Sequence, residues 1–173
     1  MSRPARVLVL ANQKGGVAKT TTTLNLGVAL KERGCRVLAI DLDPQSNLSM
    51  SQGIDVENLG VTMFDILVKG YPLSDIIQAR EIDVAPAGIE LAGAELALSA
   101  MIGRERQLER AIKPYLDLYD FILIDTPPSL GLLTINAMVA CDGVIVPVQC
   151  EYLSLRGLAQ LNQTLAQVRE HLN

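Results

Sequence analysis

The decapeptide Asn12-Gln13-Lys14-Gly15-Gly16-Val17-Ala18-Lys19-Thr20-Thr21 lies between two segments of opposite character. Before it runs Arg6-Val7-Leu8-Val9-Leu10-Ala11, an apolar stretch that reads as a buried strand. After it comes Thr22-Thr23-Leu24-Asn25-Leu26-Gly27-Val28-Ala29-Leu30, which reads as a helix. Strand, glycine-rich turn, Lys-Thr and helix form the arrangement that cradles nucleotide phosphates. Adjacent glycines let the backbone approach an anion with no Cβ in the way. The turn's N–H groups and the positive end of the helix then point at that anion. Lys14, Gly15, Gly16, Val17, Ala18, Lys19, Thr20 and Thr21 are therefore the expected nucleotide-binding residues, with Lys19 adding a full charge and the Thr20 hydroxyl suited to Mg²⁺. The alternative is a basic turn that binds nothing.

The common pattern, G-x-x-x-x-G-K-[ST], would place glycine at positions 13 and 18, where this chain has Gln13 and Ala18. A positive φ at Ala18 would cost about 1 kcal/mol, so a negative φ is expected there.

Working outward, residues 19–33 read as the first helix, with Gly34 just past its end and Lys31 and Arg33 in the last turn. Residues 36–41 read as a strand ending in the polar loop Asp41-Leu42-Asp43-Pro44-Gln45-Ser46-Asn47. A short helix is expected over 61–69, capped by Thr62, and a short strand over 82–85. Residues 89–101 and 105–116 read as helices, the second disturbed near Pro114. The strand Asp120-Phe121-Ile122-Leu123-Ile124-Asp125 runs into Thr126-Pro127-Pro128-Ser129. A helix over 132–140, a strand over 143–148 and a helix over 153–172 complete the chain.

Strands alternating with helices imply an α/β fold: three layers, with a mostly parallel sheet covered by helices on both faces. Ligands in such sheets sit outside the carboxyl ends of the strands. That rule gathers residues 14–21, 41–47 and 125–129 at one edge. Mg-nucleotide hydrolysis needs charge neutralisation, a metal and a positioned water. Lys19 and the amides of the glycine-rich turn suit the phosphates, and Thr20 suits the metal. Asp125, at the end of an apolar strand, suits Mg²⁺ through a water; its other reading is a strand-terminal cap. Asp41 and Asp43 flank Leu42, so only one can face the site from an extended chain. Gln45 and Asn47 belong to the same loop.

The chain has 173 residues, 49% hydrophobic and 20% charged, with 3% aromatic and no Trp, so a single domain with an aliphatic core is expected. A net charge of −4 gives no global basic footprint for nucleic acid. No apolar run approaches the ~20 residues that span a bilayer, and the first one runs into the glycine-rich turn, unlike a signal peptide. Cys35, Cys141 and Cys150, odd in number and widely spaced, are expected to be reduced, mostly buried thiols of a cytoplasmic protein. The single histidine, His171, near the end, argues against histidine catalysis and zinc binding. The stripe Leu153, Leu158, Leu161, Leu165, Val168 and Leu172 is expected to face the core rather than a membrane.

Lys14 ahead of Gly15-Gly16, with Lys19-Thr20, gives the deviant phosphate loop K-G-G-x-x-K-[ST] and resembles the ParA/MinD family of ATPases. Asp41-Leu42-Asp43-Pro44-Gln45-Ser46-Asn47, Asp125-Thr126-Pro127-Pro128-Ser129 and Val146-Pro147-Val148-Gln149-Cys150-Glu151-Tyr152 extend the likeness over most of the chain and favour the chromosome and plasmid partitioning branch. The resemblance implies a P-loop NTPase fold, ATP and Mg²⁺ as ligands, and an ATP-sandwich homodimer. It selects Asp43 as the hydrolytic aspartate, with Asp41 in support. It implies that Lys14 acts in trans on the other subunit's nucleotide, where the residues alone allow a solvated lysine. It further implies non-specific DNA binding, a ParB-type partner that stimulates hydrolysis, and a cytoplasmic, nucleoid-associated location. The family pattern continues past Asn173, so the chain is expected to be a single ATPase domain lacking its C-terminal part. A further strand, part of the adenine pocket and much of the DNA surface would lie in that part.

Three other classes compete with this reading. An iron–sulfur reductase of the nitrogenase iron protein type would need cysteines at a dimer seam, and Cys141 and Cys150 lack the usual spacing. A synthetase that activates a small carboxylate would turn over only with its acid. A MinD-like cell-division ATPase would need a membrane-binding helix.

Overall fold

Three hydrophobic strands of five residues set the centre of the molecule: β1 (Arg6–Leu10), β2 (Val37–Asp41) and β5 (Phe121–Asp125). The computed structural model describes residues 4–150 and 154–172. Between and around these strands the chain forms α1 (Lys19–Glu32), α2 (Asn47–Ser51), β3 (Gln78–Ala79), β4 (Asp83–Ala85), α3 (Ala94–Ser99), α4 (Gln107–Ile112), α5 (Leu132–Val139), β6 (Gly143–Ile145) and α6 (Ser154–His171). The sheet order is β3-β4-β2-β5-β1-β6, parallel throughout except for the short antiparallel β3 at one edge. The parallel α/β expectation therefore holds, and β3 is the strand it lacked.

Successive side chains on the central strands point to opposite faces, and both faces are covered. Val7, Val9, Leu38, Ile40, Ile122 and Ile124 join one apolar cluster with α3, α4, α5 and α6. Val37, Ala39, Val84 and Leu123 join another with α1 and α2. Full burial of each such aliphatic side chain contributes roughly 1.5–3 kcal/mol. Leu161 and Val168 of α6 are buried in the first cluster, as the spacing of its apolar stripe predicts.

Helix ends follow their local chemistry. Gly34, at φ 83°, ends α1: its N–H donates to Lys31 O and that of Cys35 to Leu30 O, satisfying two terminal carbonyls. The expected helix over 61–69 is present, and its second part is a π-helical turn, Asp65–Lys69. Thr62 caps it: Thr62 Oγ1 accepts from Phe64 N–H, and the Asp65 carboxylate accepts from Thr62 N–H in return.

Several expected elements are shorter than the sequence suggested. The helix over 89–101 divides into a 3₁₀ turn, Ile89–Gly93, and the six-residue α3; Gly93 is a poor helix former at the junction. The helix over 105–116 is regular only as α4 and closes in a 3₁₀ turn containing Pro114, which has no N–H to continue the ladder. The strand over 143–148 stops at Ile145, two residues before Pro147. Glu151, Tyr152 and Leu153 lie outside the described residues, and with them the end of the 146–152 motif and the start expected for the last helix. Helix α2 was not expected at all.

Gly27 is a point of tight packing between α1 and the side chains it covers. A Cβ there would lie 2.7 Å from Ile82 Cδ1 and 3.4 Å from Leu123 Cδ1, both in the second cluster. Gly27→Val should therefore destabilise the fold by about 1–3 kcal/mol in chemical denaturation. An unchanged midpoint would show that α1 is not seated this tightly.

Candidate functional site

Parallel register levels the strand ends. Leu10 pairs with Asp125, and Asp125 pairs with Asp41, so β1, β5 and β2 finish in one row. The loops that follow each strand consequently open on the same edge. Leu42 N–H donates to Asp125 O, and Thr126 Oγ1 donates to Leu10 O, fastening neighbouring loop bases together.

Above this row lies a cleft of about 530 Å³. Gly15, Gly16, Ala18, Lys19, Thr20 and Thr21 line it from the glycine-rich turn and the start of α1, and Asp43, Gln45, Asn47 and Pro128 from the loops after β2 and β5. Three loops far apart in sequence thus meet, as the carboxyl-end rule predicts. A Cβ on Gly15 or Gly16 would meet no protein atom within 4 Å; it would project into open space beside the turn. Gly16 also needs its φ of 72°. Val17 is buried and does not line the cleft.

Beneath the cleft, Thr20 Oγ1 donates to Asp125 Oδ2 at 2.6 Å, and Thr23 Oγ1 lies 3.4 Å from Asp125 Oδ1. Burial lifts the Asp125 carboxyl to about 6; the Thr20 hydrogen bond and the Lys19 charge oppose the rise. Lys19 is itself buried, which pulls its ammonium below the usual lysine range, and Asp125 and Asp43 partly restore it. A hydroxyl and a carboxylate side by side beneath an amide-lined wall fit a hard cation that keeps most of its shell in water and ligand oxygens. Among the described residues no group of three or more His, Cys, Asp or Glu side chains could hold a metal by itself.

Asp41 and Asp43 divide as their spacing requires. Asp43 lines the cleft, whereas Asp41 is fully buried below it. Asp41 Oδ1 accepts from Asp43 N–H at 3.1 Å, and Oδ2 accepts from both Ser49 N–H and Ser49 Oγ. Burial raises the Asp41 carboxyl to about 7, with the Ser49 contacts opposing the shift.

Lys14 is placed outside the cleft. Its Nζ donates to Gln149 Oε1 at 2.8 Å, while Gln149 Nε2 donates to Gly16 O. Asn12, buried, accepts from Lys14 N–H and donates to Pro147 O, so the loop after β6 braces the back of the glycine-rich turn. Ser49 and Thr23 have no place among the site residues expected from the sequence, whereas Asn12 and Pro128 fall within quoted motifs without a role of their own. Ser49 stands eight residues from the carboxylate it contacts, and no motif marks it.

Two sequence expectations are corrected. Ala18 adopts φ 66°, not a negative value, because the turn must reverse at this position to enter α1. The thiols are less buried than expected: Cys35 and Cys141 are half-buried and Cys150 is exposed.

With this geometry in place, comparison with known proteins is informative. A family model described as an AAA domain matches residues 5–173. The chain is 50% identical over 171 residues to the sporulation initiation inhibitor protein Soj of Bacillus subtilis (strain 168), covering 97% of this chain and 68% of that protein. It is 43% identical to the chromosome partitioning protein ParA of Myxococcus xanthus (strain DK1622), covering 97% of this chain and 60% of that protein. A crystal structure of cobyrinic acid a,c-diamide synthase from Mycobacterium smegmatis with bound ADP and magnesium matches with a TM-score of 0.94 and 46% identity, covering 98% of this chain and 70% of that one. The chain thus spans 60% to 68% of the length of these two curated relatives. Among the described residues no helix is long and apolar enough to cross a membrane.

The left-handed backbone at Ala18 costs about 1–2 kcal/mol. Ala18→Gly should therefore raise the free energy of unfolding by about 1 kcal/mol, less the extra chain entropy glycine brings to the unfolded state; a loss of stability would contradict the strain. Asp41 supplies a pH test. Its folded-state value of about 7 lies above the ordinary carboxylate value, so the folded protein holds this proton more tightly than the unfolded chain. The resulting stability is complete below the ordinary range and is lost as pH rises through about 7. Denaturation midpoints should fall between about pH 5 and about pH 8, and less steeply in Asp41→Asn; equal slopes would contradict the shift.

Proposed function

The chain belongs to the ParA/MinD family of P-loop ATPases, and we propose that its cleft binds Mg-ATP and hydrolyses it as a slow molecular switch in DNA partitioning. The observation that carries this reading is the 2.6 Å hydrogen bond from Thr20 to Asp125 at the cleft lined by the glycine-rich turn, with Asp43 lining the same cleft. Thr20 would ligate Mg²⁺ directly and Asp125 through a water. The metal, when bound, neutralises phosphate charge. Lys19, held partly out of water, pairs with the β- and γ-phosphates, and the amides of residues 15–21 orient them. Asp43 orients the attacking water from across the cleft.

Lys14 rests on Gln149, on the outer side of the turn. Its proposed role is in trans, across an ATP-sandwich homodimer, where it would leave Gln149 and stabilise charge on the partner's transferring phosphoryl group. The similarity to Soj and ParA supports a ParB-type partner that accelerates turnover, non-specific DNA binding, and a cytoplasmic, nucleoid-associated location. A second reading, an ATP-dependent synthetase acting on a carboxylic acid, is favoured by the match to the Mycobacterium smegmatis protein. It predicts turnover only when the acid is supplied.

Titration calorimetry and phosphate release separate these roles. Lys19→Ala should weaken Mg-ATP binding by roughly 30-fold or more, the scale expected when a desolvated charge contact is truncated. Asp43→Ala should retain binding and lose roughly 10²–10⁴-fold in turnover. Wild-type affinity in the first variant, or wild-type turnover in the second, removes that residue from its role. Turnover that responds to DNA and not to small carboxylic acids supports the partitioning switch; the opposite response supports the synthetase.

A further inference from the structure

We propose that Ser49 is a positioning residue for Asp43, fixing the far end of the loop that carries it. The proposal rests on the reading of Asp43 as the group that orients water.

The loop between β2 and α2 has two anchors, and one carboxylate serves both. Asp41 Oδ1 receives the N–H of Asp43 at 3.1 Å. Asp41 Oδ2 receives the N–H of Ser49 at 3.0 Å and its hydroxyl at 2.7 Å. The Ser49 oxygen in turn accepts from Ala87 N–H at 3.2 Å, tying the loop to the segment after β4. Asp41 and Ser49 are fully buried, so no water competes for these contacts. Asp43, which lines the cleft, stands at the first anchor, and Gln45 and Asn47, which also line it, lie between the two.

The loop also contains Ser46 at φ 54°. A non-glycine residue in that region persists only when its surroundings over-determine it. The hydroxyl of Ser49 supplies part of that constraint in a form alanine cannot. Ser49→Ala leaves Asp41 Oδ2 with one donor and orphans the buried N–H of Ala87. Ser49→Thr keeps the hydroxyl.

Two measurements on the full chain test the proposal. The first compares turnover at saturating Mg-ATP with Mg-ATP affinity. Ser49→Ala should lower turnover roughly tenfold, the scale of one or two lost buried hydrogen bonds, while affinity changes less than about twofold, since Lys19 and the glycine-rich turn are untouched. Ser49→Thr should restore most of the rate. A merely structural role would lower turnover and affinity together with overall stability, and that result overturns the proposal. The second measurement is amide hydrogen exchange over residues 43–49, which needs no hydrolysis. Exchange there should quicken at least tenfold in Ser49→Ala, with residues 15–21 unchanged; unchanged protection over 43–49 overturns the proposal. An inactive Asp43→Ala beside a fully active Ser49→Ala refutes the role of Ser49 and leaves that of Asp43 standing. If the wild-type chain does not hydrolyse ATP, the functional reading fails, and the exchange data alone decide whether Ser49 holds the loop.

Discussion

The row formed by Leu10, Asp125 and Asp41 is the constraint on which the rest of the site depends. Parallel pairing admits little slack here. The side-chain period of a strand is two, so a slip of one residue would turn each strand's core residues to the wrong layer. Ile122 and Ile124 must face one helical layer and Leu123 the other, which fixes where Asp125 ends. Core packing therefore sets the level at which three loops leave the sheet. The candidate site follows from that level: a glycine-rich turn, a carboxylate loop and a Pro-Pro loop have no other shared edge on which to meet.

Placing charge at that edge has an electrostatic cost, and the shifts record it. Asp41 and Asp125 end adjacent strands and both are buried; burial lifts each carboxyl, and the Asp125 charge adds to the rise at Asp41. The sheet tolerates the pair because each has dedicated donors, Ser49 for Asp41 and Thr20 with Lys19 for Asp125. The two carboxylates are not equivalent. The contacts of Asp41 run sideways into the loop and to α2, whereas Asp125 meets a hydroxyl on the floor of the cleft. Polar groups with satisfied partners and polar groups available to a ligand are separated by one strand. Backbone strain gathers at the same place: among the described residues, Ala18 and Ser46 are the non-glycine residues with positive φ, and both sit in loops that line the cleft.

Much of this was legible in the sequence, for identifiable reasons. Runs such as Phe121-Ile122-Leu123-Ile124 carry an unambiguous signal for a strand buried on both faces, and the three loops at their ends could be gathered by topology alone. Helix ends marked by Gly34 and Thr62 were equally plain, since their chemistry is local. What escaped notice depends on contacts made in three dimensions. Helix α2 is brief and polar, and its first turn hangs on the carboxylate of Asp41. The positive φ of Ala18 belongs to a turn normally served by glycine, so the residue type pointed away from the backbone the fold imposes. Ser49 and Thr23 reach carboxylates on other elements, and nothing at their own positions announces it. Residues 89–101 misled in the other direction: their alanine-rich composition suggested one long helix, and Gly93 divides it.

A crystal structure of this chain grown with Mg²⁺ and a non-hydrolysable ATP analogue is the most direct measurement. The account predicts phosphates lodged against the backbone of residues 15–21, with the Thr20 hydroxyl turned from Asp125 toward the metal. Nucleotide bound elsewhere, or a vacant cleft with the hydrogen bond from Thr20 to Asp125 intact, would contradict it.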